Sequence, residues 1–194
     1  AETFTYDRET GVEPVGMLSG HLFAPEENWV GIGRALSGAF GPSDDVVIAT
    51  TAAGAIPFYA GLRAVDMLGL NEPADTGSSG GTGLPAEGAA PPDEGLLSGV
   101  FVSSIPGHQR VLPYEYLNRR KVNLVISHPI VTRVGEEPGV LTLLPVSGRP
   151  NLSGMVISMP IGGGYQVEML YIRPNPAFDS ALARFGWPAK PVVF

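Results

Sequence analysis

The sequence predicts an α/β domain: a mixed sheet flanked by helices, with one long Gly/Pro-rich loop. Three observations carry that expectation. Apolar residues at helical spacing alternate along the chain with short continuous apolar runs, the pattern of helices packed on a covered sheet. Hydrophobic residues make up 44% of the 194 residues, enough to build a real core in a single unit spanning residues 1–194. The 26 glycines and 19 prolines supply many turns and concentrate in one tract between the elements.

Residues 1 to 25, punctuated by Gly11, Pro14, Gly16, Gly20 and Pro25, are expected as loop and short extended segments. A first helix is expected from Pro25 or Glu26 to about Phe40. Glu26 and Glu27 would fall in its first turn, and Trp29, Ile32, Leu36 and Phe40 would face the core. Gly41-Pro42 ends it. Asp45 to Thr50 then forms a strand covered on both faces, because its apolar run is unbroken. Gly54 to Pro57 breaks that strand, a short helix or turn follows at Phe58 to Gly61, and Arg63 to Leu68 forms a second strand.

Residues 73–99 carry Gly77-Ser78-Ser79-Gly80-Gly81-Thr82-Gly83 and Pro91-Pro92, without periodicity, and are expected as a flexible surface loop. Pro113 to Lys121 is expected as a helix and Val122 to Ile126 as a third strand. Val140 to Leu144, Met155 to Met159 and Tyr165 to Ile172 are expected strands, the last alternating Tyr165, Val167, Met169 and Tyr171 against polar or smaller residues. Gly162-Gly163-Gly164 suits a hairpin turn, and Ala177 to Phe185 a closing helix.

Charge narrows the function classes. The net charge is −7 with 12 basic residues, and the only dense basic stretch is Arg119-Arg120-Lys121, so nucleic acid is not an expected partner. There is no cysteine, which rules out disulfides and thiolate metal sites. His21, His108 and His128 show no paired spacing, so no metal site and no cofactor is expected. No apolar run reaches the length of a membrane span, and no signal peptide stands at Ala1, as in a mature fragment or an excised domain. Gly31-Ile32-Gly33 fails as a dinucleotide fingerprint, since no strand precedes it and the third glycine is missing. No serine-nucleophile signature occurs.

A few polar residues stand in informative places. Asp66 interrupts an apolar segment, so it is either a ligand contact or a buried group satisfied by Arg63, Arg110 or backbone donors. Asn71 and Glu72 end the same segment on a loop, and His108 sits at the tip of Ser104-Ile105-Pro106-Gly107-His108. His128 falls at the carboxyl end of a strand, the edge where open α/β sheets collect ligands.

Three blocks within Trp29 to Pro129 resemble a known family. They are Ala53-Gly54-Ala55-Ile56-Pro57-Phe58-Tyr59, then Val65-Asp66-Met67-Leu68-Gly69-Leu70-Asn71-Glu72, then Pro106-Gly107-His108 with the helix and strand that run to His128-Pro129. The string is similar to the C-terminal extracytoplasmic domain of GT-C-class membrane glycosyltransferases, which use polyprenyl-phosphate sugars and include cell-wall arabinofuranosyltransferases. Phe58 stands where the family usually has a second tyrosine. The resemblance implies an accessory domain on the periplasmic side of the cell membrane that is not catalytic alone, because the family's catalytic aspartate lies on a loop of the membrane domain. Its implied partners are the membrane domain of the same parent chain and a cell-wall glycan acceptor. Tyr59, Asp66, Asn71, Glu72 and His108 are the expected substrate-binding residues, with Tyr59 as a sugar-stacking face. The alternatives are a free-standing hydrolase-like enzyme using His108 and Asp66, and an interaction domain without a ligand.

Overall fold

The computed structural model describes residues 15–68, 114–136 and 153–193. Five helices and six strands follow in these segments. They are α1 (Val15–Phe23), α2 (Trp29–Phe40), β1 (Ser43–Thr50), α3 (Ala55–Ala60), β2 (Leu62–Asp66), α4 (Tyr114–Arg119), β3 (Leu124–Arg133), β4 (Ser153–Gly162), β5 (Tyr165–Tyr171), α5 (Pro176–Phe185) and β6 (Ala189–Val193). The strands form one sheet in the order β2-β1-β3-β5-β4-β6. β1 is parallel to both β2 and β3, whereas β5, β4 and β6 join by antiparallel pairing. The expected α/β architecture with a mixed sheet is the observed one. The loop expected at 73–99 and the strand expected at 140–144 lie outside the described residues.

Alternation along the strands divides the core in two. Val46, Ile48, Leu124, Ile126, Met169 and Tyr171 point to the face covered by Ile32 and Leu36 of α2, Ile56 and Ala60 of α3, and Phe178 of α5. Val47, Ala49, Val125 and Leu170 point to the other face, under Tyr116 and Leu117 of α4. Coverage on both faces is why β1 is an unbroken apolar run. At the α2–α3 crossing a Cβ on Gly33 would stand 2.6 Å from the Tyr59 Cβ and 2.8 Å from the Ile56 carbonyl oxygen. Gly33 is therefore the condition for that close approach, and Gly31 leaves room for the capping side chain of Asn28, so neither glycine calls for a nucleotide.

Several boundaries correct the sequence expectation. Residues 15–23 are helical rather than loop; Gly16 and Gly20 weigh against a helix, and α1 buries none of its residues, so no amphipathic stripe advertises it. α2 starts at Trp29, after Glu26 and Glu27, because Asn28 takes a left-handed conformation and its Oδ1 accepts from the Gly31 amide at 2.9 Å. β3 does not end before His128-Pro129 but runs on to Arg133. Ser127 has φ +58° and the register against β5 shifts between Val125 and Ile130, an irregularity that lets a strand accommodate Pro129. β6 was hidden by Pro188 and Pro191; it is an exposed edge strand, where proline and Lys190 are tolerated and discourage further pairing.

The antiparallel half is closed by local signals. Gly162, Gly163 and Gly164 all have positive φ and make the β4–β5 turn. Asn175 caps α5, accepting from the Ala177 and Phe178 amides at 2.9 and 3.1 Å, with Pro176 at the first helical position. The Tyr171 hydroxyl accepts from the Asn175 amide at 2.6 Å and donates to Asp179 at 2.7 Å. Burial and the Asp179 carboxylate push its pKa up to about 12. Phe178 fills the space below, with ring centroids 4.3 Å from Tyr171 and 5.6 Å from Phe40.

Candidate functional site

The parallel strands define the first place to look. From β1 the chain passes through α3 to β2 on one side, while β3 lies on the other, so the carboxyl end of β1, beside Ser127 in the middle of β3, is a topological switch point. Its floor is stitched by hydrogen bonds. The Ser127 carbonyl accepts from the Thr51 amide at 3.0 Å, the Thr50 hydroxyl at 3.0 Å and the Thr51 hydroxyl at 3.3 Å. That anchoring fixes the left-handed turn at Ser127 and brings out the next residue, His128, as an exposed side chain.

His128 meets an aromatic group there. Its ring lies edge-on to Trp29 at 6.3 Å between centroids, and His21 of α1 stacks on Trp29 at 4.8 Å with only 8° between planes. The Trp29 indole N–H donates to Glu27 Oε2 at 3.1 Å, and the same oxygen is 3.5 Å from His21 Nδ1. Two imidazoles, an indole and a carboxylate thus converge at the carboxyl edge from α1, the turn before α2, α2 itself and β3. Within the group the Trp29 ring is stacked by His21 and its N–H is taken by Glu27, so the side chain that reaches solvent most openly there is His128.

A second polar group lies inside the sheet. Glu168, on β5 between β3 and β4, is completely buried. Its Oε2 accepts from the Ser158 hydroxyl at 2.7 Å, and its Oε1 accepts from Gln166 Nε2 at 2.9 Å and the Thr132 hydroxyl at 3.2 Å. Burial pushes the carboxyl above its ordinary value of 4.5, while the three hydrogen bonds pull the other way. Three donors satisfy one buried carboxyl, so the group reads as a structural polar network rather than a reacting centre. Among the described residues no group of three or more His, Asp or Glu side chains is placed to hold a metal ion.

The residues expected from the sequence are only partly described. Asn71, Glu72 and His108 lie outside the described residues, as does any pocket they would share with Asp66. Asp66 ends β2 at the carboxyl edge, is 4% exposed, and its Oδ1 accepts from the Leu68 amide at 2.9 Å, a local turn that accounts for part of its hydrogen bonding. Tyr59 is half-buried on α3 at the crossing with α2, where the Arg34 guanidinium sits 5.6 Å over its ring and Phe58 meets it edge-on. The sequence placed Trp29 in the core and Glu27 in a helix's first turn, and left His21 without a role. Their meeting with His128 joins distant parts of the chain and leaves no trace in residue spacing.

Fold and site together define a mixed α/β domain with a polar aromatic group at its switch point and no recognisable reaction centre among the described residues. A family model, a domain of unknown function (DUF8728), matches residues 22–156. That is more than half of the chain, and the chain belongs to this family. The matched stretch includes Glu27, Trp29, Asp66 and His128 and stops before Glu168. No curated protein and no solved structure matches the chain.

Proposed function

We propose that the chain is an extracytoplasmic accessory domain of a membrane glycosyltransferase, which presents its carboxyl-edge group to a cell-wall glycan acceptor and packs α1 against the membrane part of its parent. The observation that carries this reading is the double role of α1. Its His21 completes the Trp29 group, while Val15 and Phe23 of the same helix are 70% and 62% exposed, with Met17 and Leu18 also exposed. A helix that leaves such side chains in water is built to be covered. Covering them is worth on the order of 4 kcal/mol, at about 1.5–3 kcal/mol per fully buried side chain scaled by the area now exposed. One element therefore links an apolar docking surface to the group at the carboxyl edge. The three blocks resembling the GT-C extracytoplasmic domain supply the partner's class. No described helix is long and apolar enough to cross a membrane, so in this reading the spanning part belongs to the rest of the parent.

The test is Leu18→Ser with Phe23→Ser in the parent enzyme. In the isolated domain these exposed positions should change stability by about 0.5 kcal/mol or less. In the parent, glycosyl transfer should fall. Unchanged transfer by a parent carrying both substitutions would overturn the docking role of α1.

A further inference from the structure

The opposite edge of the sheet carries a cleft of about 290 Å³, unrelated to the glycan reading. It lies at the amino ends of β1 and β2, where Lys121 leads into β3 and Arg173 leaves β5. Among the described residues three cations line it, Arg63, Lys121 and Arg173, with one carboxylate, Asp45. A chain of net charge −7 with 12 basic residues has gathered three of them around one small space. The cations outnumber the carboxylate among these described residues, and an anion between them would offset their mutual repulsion.

The walls are fixed by buried amides. Asn123 Oδ1 accepts from the Val47 amide at 2.9 Å and its Nδ2 donates to the Arg173 carbonyl at 3.3 Å. Asn175 Nδ2 donates to the Asp45 carbonyl at 2.7 Å. Arg173 is held in place from behind, its Nη2 donating to the Asn118 carbonyl at 3.0 Å and to the Asn118 side chain. Its Nε–H is buried and has no hydrogen-bond partner among the described residues. Lys121 reaches the cleft from a left-handed backbone conformation, φ +58°, that a non-glycine residue adopts at some cost.

We propose that this cleft binds the phosphate group of a small phosphate ester. Guanidinium forks match phosphate oxygens in pairs, and a lysine adds a point charge. The volume admits a phosphate with at most a small attached group.

The test uses amide and arginine Nε resonances of the whole chain, titrated with inorganic phosphate, glucose 1-phosphate and glucose. The lipid source of the same chemistry is tested with phosphatidylglycerol/phosphatidylcholine vesicles against phosphatidylcholine alone. Saturable shifts at Arg173 Nε and at Lys121 to Asn123 are expected with a phosphate probe at about 1 mM or below. Glucose should produce none. Arg63→Gln with Lys121→Gln, both exposed positions, should weaken the response by about tenfold or more while the spectrum stays folded. Vesicle binding that needs phosphatidylglycerol and is lost in the double variant would identify the ester as a lipid headgroup. Binding of soluble esters alone would identify a free ligand. No saturable shift with any phosphate probe and no vesicle binding would overturn the proposal, and so would equal affinity in the double variant. None of these outcomes bears on Trp29 or the glycan reading.

Discussion

Glu168 gives the sharpest quantitative prediction, because both of its carboxylate oxygens have identified donors. Replace it with alanine and with glutamine. Glu168→Ala deletes the acceptor of three donors. Gln166 retains contacts with the Thr132 hydroxyl and the Glu136 carbonyl, each at 3.3 Å, so the main orphan is the buried Ser158 hydroxyl. An unsatisfied buried hydroxyl costs about 1–3 kcal/mol, and the lost packing of one methylene and the carboxyl adds about 1 kcal/mol or more. Relief from burying a charge offsets part of this, leaving a net loss of about 1–3 kcal/mol. Glu168→Gln keeps the shape and one acceptor, and Ser158 can turn to accept from the new amide, so its stability at neutral pH should lie within about 1 kcal/mol of the wild type.

The pH dependence fixes the sign. The folded carboxyl titrates above 4.5, so between that value and its raised folded value the native state holds more protons than the unfolded chain. Stability then falls as pH rises through that window and levels beyond it. Glu168→Gln has no such proton. Urea denaturation from about pH 4 to about pH 8 should therefore show the wild type losing stability relative to Glu168→Gln as pH rises. A difference that does not change with pH, or a glutamine variant as damaged as the alanine one, would refute the account of this network.

Other outcomes follow from the packing and the resemblance. Phe178→Ala removes a fully buried ring from among Tyr171, Phe40 and Trp187 and should cost about 3–5 kcal/mol in chemical denaturation; a loss below about 1 kcal/mol would mean α5 does not close this core. Gly33→Val places atoms where the Ile56 carbonyl and Tyr59 Cβ already stand, and should cost about 1–3 kcal/mol, whereas a neutral result would show that α2 and α3 separate easily. The isolated chain should transfer no sugar from a polyprenyl-phosphate donor, and turnover by the purified domain would contradict an accessory role.

Much of the fold was legible in the residues because the governing signals are local. The unbroken run at β1, the three glycines of the β4–β5 turn, and Tyr165, Val167, Met169 and Tyr171 alternating along β5 all state their structure directly. α1 and β6 were missed for the opposite reason: glycines in one and prolines in the other contradict their state, and neither has a well-buried face to announce it. The site is less legible still. Gln166 and Glu168 look like the solvent side of an alternating strand, and only tertiary burial makes them a network. Trp29 has the spacing of a core residue, and its partners His21, Glu27 and His128 arrive from different elements. Lys121 is visible in a basic run, but Arg63 and Arg173 join it only through the sheet's register and the exit from β5.

The most direct test of the central claim is a titration of the domain with a neutral arabinofuranose oligomer, followed at the Trp29 indole N–H and the His21 and His128 ring signals. A saturable shift at all three is expected in the wild type, and the Trp29 shift should be lost in His21→Ala with His128→Ala while the spectrum stays folded. No shift at oligomer concentrations of about 10 mM, or shifts confined to surfaces away from Trp29, would contradict it.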